Sequence, residues 1–153
     1  MNLYIYTLKI DEDTVFFAMH SFAFDTMFKN TYATLCMGGR VMINYDNEYD
    51  FSRICGYIER NKCTHIKSNA SVFNALLDAS KEDGYRSLRS VRYLFLGGDK
   101  FVGENLLDFI NSGDKQIQLF NGYGPTEATD ISSCHIVSKE ELASMQENPV
   151  PIG

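Results

Sequence analysis

The sequence predicts an α/β fold of three layers, in which a mostly parallel β-sheet is flanked by helices on its two faces. Short apolar runs of strand length alternate with segments whose apolar residues recur at helical spacing. Several of these runs end at a glycine turn, which is typical of a strand that leads into a helix. Strands that alternate with helices in this way imply crossover connections and therefore parallel neighbours.

The first half of the chain predicts three strands and three helices. Phe28, Tyr32 and Leu35 recur at helical spacing before the Gly38-Gly39 stop, and Asp50 is a suitable cap for the next helix. The predicted strands are 15–19, 40–44 and 65–68, and the predicted helices are 25–37, a segment that begins after residue 50, and a segment around 72–77.

The second half continues the alternation. Predicted strands are 91–96, 116–120 and 132–137, and predicted helices are 105–110 and 140–145, before an extended tail at 149–153. In a parallel sheet the carboxyl ends of the strands meet at one edge, where ligands bind. We therefore expect the polar and glycine-rich segments 21–25, 97–99 and 121–127 to lie at one edge of the sheet.

The composition is that of one ordinary globular domain, with 153 residues of which 44% are hydrophobic and 22% charged. The 20 acidic and 14 basic residues give a net charge of -6, which argues against duplex nucleic acid as a partner. No apolar run approaches membrane-spanning length, and the N-terminus lacks the pattern of a secretory signal. We expect a cytoplasmic protein with neither nucleic-acid nor membrane partners.

The cysteines predict no metal or redox site. They form no Cys-x-x-Cys pair and have no convincing zinc spacing with the histidines, so we expect reduced, mostly packed thiols. The four are Cys36, Cys55, Cys63 and Cys134.

The most informative stretch is 119–129, where an apolar run turns on Gly122, Gly124 and Pro125. An amide, an aromatic ring, a hydroxyl and a carboxylate follow one another within a few positions, and together they suit a nucleotide and its metal ion. The alternative is an ordinary strand-to-loop corner with solvated polar residues. The four side chains are those of Asn121, Tyr123, Thr126 and Glu127.

The sequence Asn-Gly-Tyr-Gly-Pro-Thr-Glu at 121–127 resembles the adenine- and phosphate-contacting motif of the adenylate-forming superfamily. Within that superfamily, it most resembles the amino-acid adenylation domains of nonribosomal peptide synthetases. Three further segments match that family in order. They are Ser21-Phe22-Ala23-Phe24-Asp25, Leu94-Phe95-Leu96-Gly97-Gly98-Asp99 with Asp99 in place of the more usual glutamate, and Val150-Pro151-Ile152-Gly153. The resemblance therefore covers essentially the whole chain.

The resemblance implies roles for individual residues. Asp25 would pair with the α-ammonium of an amino acid, whereas the alternative from the sequence alone is a helix N-cap. Thr126 would hold phosphate and Glu127 the Mg²⁺ ion, and these two are the catalytic candidates. The positions implied for ATP or AMP are Gly98, Asp99, Asn121, Tyr123, Gly124 and Thr126.

The family's substrate pocket falls on nine positions of this chain. Its lysines suggest a polar or charged side chain, such as that of aspartate or asparagine. Alternatively, both lysines extend to solvent, or one pairs with Asp130. The nine positions are Asp25, Thr26, Lys29, Lys67, Phe95, Gly97, Gly122, Asp130 and Ile131.

The family's phosphate loop, its ribose-binding Thr-Gly-Asp and its C-terminal lid domain have no match in this sequence. We therefore expect one subdomain of a longer enzyme that joins an amino acid to AMP and then to the phosphopantetheine arm of a carrier protein. By itself this segment would be inactive. Two alternatives stay open: a non-catalytic binding or assembly module with the same fold, and a relative that activates another carboxylic acid, like the alanine-activating ligases of cell-wall modification.

Overall fold

The computed structural model describes residues 2–19, 23–44, 49–98, 104–113, 116–128, 131–144 and 150–152. Six strands form a sheet, and they are β1 (Val15–Ala18), β2 (Arg40–Ile43), β3 (His65–Ser68), β4 (Tyr93–Gly97), β5 (Gln118–Tyr123) and β6 (Ser133–Val137). Their order across the sheet is β2-β1-β3-β4-β5-β6. The first five are parallel to their neighbours, and β6 is antiparallel to β5. The mostly parallel sheet predicted from the sequence is confirmed.

Helices cover both faces of this sheet. They are α1 (Asn2–Thr7), α2 (Asp25–Cys36), α3 (Phe51–Asn61), α4 (Ala70–Lys81), α5 (Glu104–Asn111) and α6 (Lys139–Ser144). The larger core lies between the sheet and the helices α3 to α6, with Phe17 and Leu94 facing Phe73 and Leu142. On the opposite face, Met27 of α2 packs against Phe16, so the three-layer prediction is also confirmed. No helix in the described ranges is long and apolar enough to cross a membrane.

Local sequence explains where α3 and α4 begin. The side chain of Asp50 accepts a hydrogen bond from the backbone N–H of Arg53, and the side chain of Asn69 accepts one from Val72. Each bond satisfies a donor that the first helical turn leaves without an intrahelical partner. These caps place the start of α4 directly after β3, at the edge where a ligand is expected.

One helix and several element boundaries differ from the sequence prediction. Helix α1 was not predicted; it is only six residues long, too short for an apolar period to identify it. The sequence ended the fifth strand at Phe120, but β5 continues to Tyr123 because its last residues pair with Ser133 and Cys134 of β6. The fourth strand begins at Tyr93 instead of residue 91.

Helix α2 forms as predicted, but the residues that revealed it lie on its outer face. Phe28, Tyr32 and Leu35 are 51%, 57% and 54% exposed. The side buried against the sheet carries smaller and more polar residues, among them Ala33 and Thr34. An apolar stripe at helical spacing thus identified the helix without indicating which side it buries.

His65 ties α1 to the sheet. Its Nε2 donates to the Leu8 carbonyl oxygen at 2.9 Å, its Nδ1 accepts from the Thr64 hydroxyl at 2.8 Å, and its ring stacks on Tyr93 with centroids 4.4 Å apart. Burial lowers the pKa of His65 from 6.5 to about 4. The folded protein therefore holds a neutral imidazole at pH values where the unfolded chain takes up a proton.

This difference predicts a stability that falls as the pH falls from about 6.5 to about 4. Because the unfolded state binds the extra proton in this window, His65 alone should cost about 2 kcal/mol of unfolding free energy between pH 7 and pH 5. Urea unfolding of the wild type and of His65→Gln at both pH values measures the difference. An equal pH dependence in both proteins would show that His65 is not its source.

Candidate functional site

The polar segments predicted to meet at one edge of the sheet do meet, around a cleft of about 270 Å³. The cleft lies between the first turn of α2 and the carboxyl ends of β3, β4 and β5. Its walls are Phe24, Asp25, Thr26, Lys67, Ser68, Asn69, Phe95, Gly97, Gly98, Gly122, Gly124 and Ile131. Seven of the nine predicted substrate positions therefore line one cavity. They are Asp25, Thr26, Lys67, Phe95, Gly97, Gly122 and Ile131.

Asp25 presents an unsatisfied carboxylate oxygen. It is the first residue of α2, and the N-cap position belongs to Phe24, so the N-cap alternative does not hold. Its Oδ1 accepts the backbone N–H of Thr26 at 2.7 Å. Its Oδ2 is buried with no hydrogen-bond partner among the described residues. A buried carboxylate oxygen without a donor is costly, so this atom is well suited to bind a cationic group of a ligand.

Lys67 brings a positive charge to the same cleft. Its residue is only 8% exposed, so the side chain does not extend to solvent. Its Nζ lies 4.9 Å from the ring centroid of Phe95, its neighbour in the β3–β4 ladder, in a cation–π contact. Burial raises the pKa of the Cys134 thiol on β6, and the charge of Lys67 opposes that rise.

The second predicted lysine lies elsewhere. Lys29 is half-buried, and its Nζ lies 4.6 Å from the ring centroid of Tyr4 on α1. It does not contribute to the cleft walls. Asp130, the suggested partner of one of the two lysines, and Asp99 lie outside the described residues. The structure therefore brings one of the two lysines to the cleft.

Glycines make room for the Phe95 ring. Gly97 and Gly122 are partners in the β4–β5 ladder. A Cβ atom on Gly122 would lie 2.1 Å from Cζ of Phe95, far closer than carbon atoms can approach. Gly98 has φ +80°, a conformation that favours glycine. The ring of Phe95 also stacks on Phe120, with centroids 6.2 Å apart, so its position is fixed from both sides.

Within the 121–127 motif, the two glycines, Gly122 and Gly124, line the cleft. The other residues of the motif are not among the cleft walls. Tyr123 ends β5 with its side chain 53% exposed. Thr126 and Glu127 are exposed on a 3₁₀ turn, Thr126–Ala128. Asn121 is 4% exposed, and its Nδ2 donates to the carbonyl oxygens of Val150 and Pro151 at 3.0 and 2.8 Å.

Sequence reasoning missed three residues of the cleft wall, Phe24, Ser68 and Asn69. Ser68 is the last residue of β3 and Asn69 follows it, so the rule that ligands bind at the carboxyl ends of strands could have found them. Ser68 is 2% exposed, and its hydroxyl has no hydrogen-bond partner among the described residues. The lone signal for Phe24 was its position next to Asp25.

The described residues contain no group of three or more His, Cys, Asp or Glu side chains that could hold a metal ion. Glu127 is the carboxylate that the motif supplies, and it is exposed. This arrangement suits Mg²⁺, which usually keeps several waters and binds one or two carboxylates together with substrate phosphates.

Comparisons with known proteins identify the family of this chain. The family model of AMP-binding enzymes matches residues 1–153. Bacitracin synthase 3 of Bacillus licheniformis is 29% identical over 131 residues, and surfactin synthase subunit 2 of Bacillus subtilis is 29% identical over 112 residues. The matches cover 85% and 72% of this chain but 2% and 3% of those proteins, so the chain spans a small part of their length.

Solved structures show the same fold. A nonribosomal peptide synthetase protein that contains adenylation and PCP domains, bound to a vinylsulfonamide inhibitor, superposes with a TM-score of 0.78 at 27% identity, over 94% of this chain and 24% of that one. The N-terminal subdomain of NpsA from Klebsiella oxytoca, in complex with 3-hydroxybenzoyl-AMSN, also gives 0.78, at 21% identity over 97% of this chain and 36% of that one. The chain belongs to the AMP-binding enzyme family, and it is similar in sequence and fold to part of the adenylation domains of nonribosomal peptide synthetases.

Proposed function

We propose that this chain is the amino-acid- and adenine-binding part of an enzyme that activates an amino acid with ATP as aminoacyl-AMP, for thioester transfer to a carrier protein. The observation that carries the proposal is the carboxylate of Asp25, which lines a cleft together with four glycines and whose buried Oδ2 has no hydrogen-bond donor among the described residues. A carboxylate in that position is the natural partner of an α-ammonium group.

The proposed reaction begins when a carboxylate oxygen of the amino acid attacks the α-phosphorus of ATP. A bond forms between these two atoms, and pyrophosphate leaves with the electrons of the broken P–O bond. In this proposal Asp25 holds the ammonium group and thereby sets the position of the reacting carboxylate. No side chain forms a covalent intermediate.

On the nucleotide side, the exposed ring of Tyr123 would cover the adenine, and Asn121 would meet its edge. Gly98 and Gly124 would let the backbone approach the nucleotide closely, and Asp99 would also contact the nucleotide. Thr126 would donate to a phosphate oxygen, and Glu127 would bind Mg²⁺. When bound, Mg²⁺ neutralises charge on the phosphates and orients them.

The cleft supports a substrate with a polar or charged side chain. The buried ammonium of Lys67 makes a cation–π contact with Phe95, and Thr26 and Ile131 also line the cleft. A side-chain carboxylate or amide could accept a hydrogen bond from this ammonium, as in aspartate or asparagine. Lys29, which lies against Tyr4, would not contact the substrate.

The outer face of α2 supports the proposal that further parts of an adenylation domain dock here. Phe24, Phe28, Tyr32 and Leu35 follow one another at helical spacing and are each more than half exposed. The rings of Phe28 and Tyr32 stack with centroids 6.3 Å apart. A contiguous exposed apolar face of this kind marks an interaction surface. The phosphate loop and the lid would come from those further parts, so the chain alone would not catalyse adenylation.

Calorimetry and an exchange assay test the proposal together. The chain should bind AMP and L-aspartate saturably, and it should not promote amino-acid-dependent exchange of pyrophosphate into ATP. A chain that binds AMP but no amino acid would point to a non-catalytic nucleotide-binding module. A chain that binds neither would contradict the proposal.

A further inference from the structure

A second cavity, of about 280 Å³, lies at the other end of the sheet from the cleft. Val91 comes just before β4 and Ile117 just before β5, so this cavity lies at the amino ends of two strands whose carboxyl ends form the cleft. Strands of five and six residues span roughly 15–20 Å, which separates the two sites. We call it the amino-end cavity, and its lining is Tyr85, Leu88, Arg89, Val91, Phe109, Ser112, Gly113 and Ile117.

The inner walls of the amino-end cavity are apolar and well packed. Leu88, Val91 and Phe109 belong to the larger core and are each at most 3% exposed. The ring of Phe109 meets the ring of Tyr85 edge-on, with centroids 5.6 Å apart. Because these side chains are already ordered, a ligand that enters the cavity has few wall residues left to immobilise.

Tyr85 supplies a hydroxyl that is not in use. The residue is 8% exposed, and its hydroxyl makes no hydrogen bond with any residue in the described ranges. Its backbone has φ +61°, and this conformation is held by hydrogen bonds from its own N–H to the Ser80 carbonyl oxygen and from the Leu88 N–H to its carbonyl oxygen. A tyrosine buried to this degree usually gives its hydroxyl a partner, and a ligand in the cavity can be that partner.

Arg89 adds a positive charge to the same cavity. It is exposed and forms no ion pair with the described residues, whereas Arg86, on the same turn, pairs with Glu59 at 3.4 Å. A guanidinium and a phenol hydroxyl can both donate to one carboxylate. None of the described lining residues is acidic, so an ammonium group would find no carboxylate here.

We propose that the amino-end cavity is a second ligand site, which binds a small carboxylic acid with an apolar body of about the size of one aromatic ring. The carboxylate accepts hydrogen bonds from Arg89 and from the hydroxyl of Tyr85, and the apolar body packs against Phe109 and Ile117. The absence of an acidic group from the described lining selects against α-amino acids. The site is therefore distinct from the cleft in both position and ligand class.

Calorimetry with phenylacetate and with its neutral analogue phenylacetamide tests the charge recognition. The wild type should bind phenylacetate with a dissociation constant of about 1 mM or lower. Phenylacetamide should bind about fivefold more weakly, because a charged acceptor forms the stronger hydrogen bond with arginine. Arg89→Gln should bring the two ligands within about twofold of each other, and Arg86→Gln, the matched control with the same loss of charge, should keep the wild-type preference.

Tyr85→Phe tests the hydroxyl while keeping the ring. It should weaken phenylacetate binding about fivefold, the effect of one lost hydrogen bond. Urea unfolding should show no loss of stability, because the hydroxyl has no partner among the described residues. Failure of the wild type to bind phenylacetate, equal affinity for the acid and the amide, or an unchanged preference in Arg89→Gln would each overturn the inference.

Competition separates this inference from the proposed function. Saturating L-aspartate and AMP should leave the affinity for phenylacetate unchanged, since the two sites lie at opposite ends of the strands. Displacement of phenylacetate by either compound would place the probe in the cleft, which would overturn the second site and leave the proposed function standing. Phenylacetate binding that persists in a chain with no affinity for L-aspartate or AMP would support the second site alone.

Discussion

Replacement of Asp25 by asparagine is expected to weaken the binding of L-aspartate by at least about 30-fold, because removal of one partner from a desolvated charge pair costs about 2–5 kcal/mol. In the wild type the ammonium of the ligand would satisfy the buried Oδ2, which has no donor among the described residues. Asparagine keeps the shape of the side chain and removes its charge. Calorimetry on both proteins measures the change.

Asp78→Asn is the matched control. Asp78 is an exposed helical aspartate on α4, so its variant carries the same change of net charge away from the cleft. It should bind L-aspartate as the wild type does. AMP should bind both variants normally, since Asp25 is assigned to the amino acid. An Asp25→Asn protein that binds L-aspartate at full strength would remove the central support of the proposed function.

Gly122→Ala should destabilise the fold by about 1–3 kcal/mol and abolish amino-acid binding, because the new methyl group would collide with Phe95. The Cβ position lies 2.1 and 2.5 Å from two atoms of that ring. The ring is held against Phe120, so it can escape only by turning into the cleft or by separating the strands. Urea unfolding and calorimetry follow the two effects.

A second-site change tests the cause. Phe95→Leu in the Gly122→Ala background removes the colliding ring atoms and should restore most of the lost stability. Gly56→Ala serves as control, since a Cβ there meets no atom within 4 Å and alanine is the better helix former. If the double variant is no more stable than Gly122→Ala alone, the collision with Phe95 is not the reason for the defect.

The sequence was informative wherever a feature depends on local chemistry. Apolar runs that alternate with helical periods predicted the parallel sheet. The side chain of Asp50 caps α3 as predicted, and the side chain of Asn69 caps α4 in the same way. The clustering of Asp25, Gly97 and Gly122 followed from one rule, that carboxyl ends of parallel strands share an edge. Their ligand roles remain predictions.

Features that depend on distant contacts were not predictable in this way. The extension of β5 to Tyr123 depends on pairing with β6, and the hydrogen bond from His65 to the Leu8 carbonyl oxygen, just after α1, joins residues 57 positions apart. The two lysines have the same chemistry in the sequence, yet Lys67 enters the cleft and Lys29 lies against Tyr4. The hydrogen bonds from Asn121 to the carbonyl oxygens of Val150 and Pro151 join residues 29 and 30 positions apart, which no local pattern reveals.

Helix α2 carries two surfaces on one rigid body. Its first residue is Asp25, and its outer side carries Phe28, Tyr32 and Leu35. Any contact that shifts this helix also shifts the carboxylate, so binding events at the two surfaces share a free energy of coupling. Such coupling is reciprocal. A protein domain that docked on the outer side and tightened the hold on an amino acid would itself be held more tightly, by the same factor, whenever the amino acid is bound.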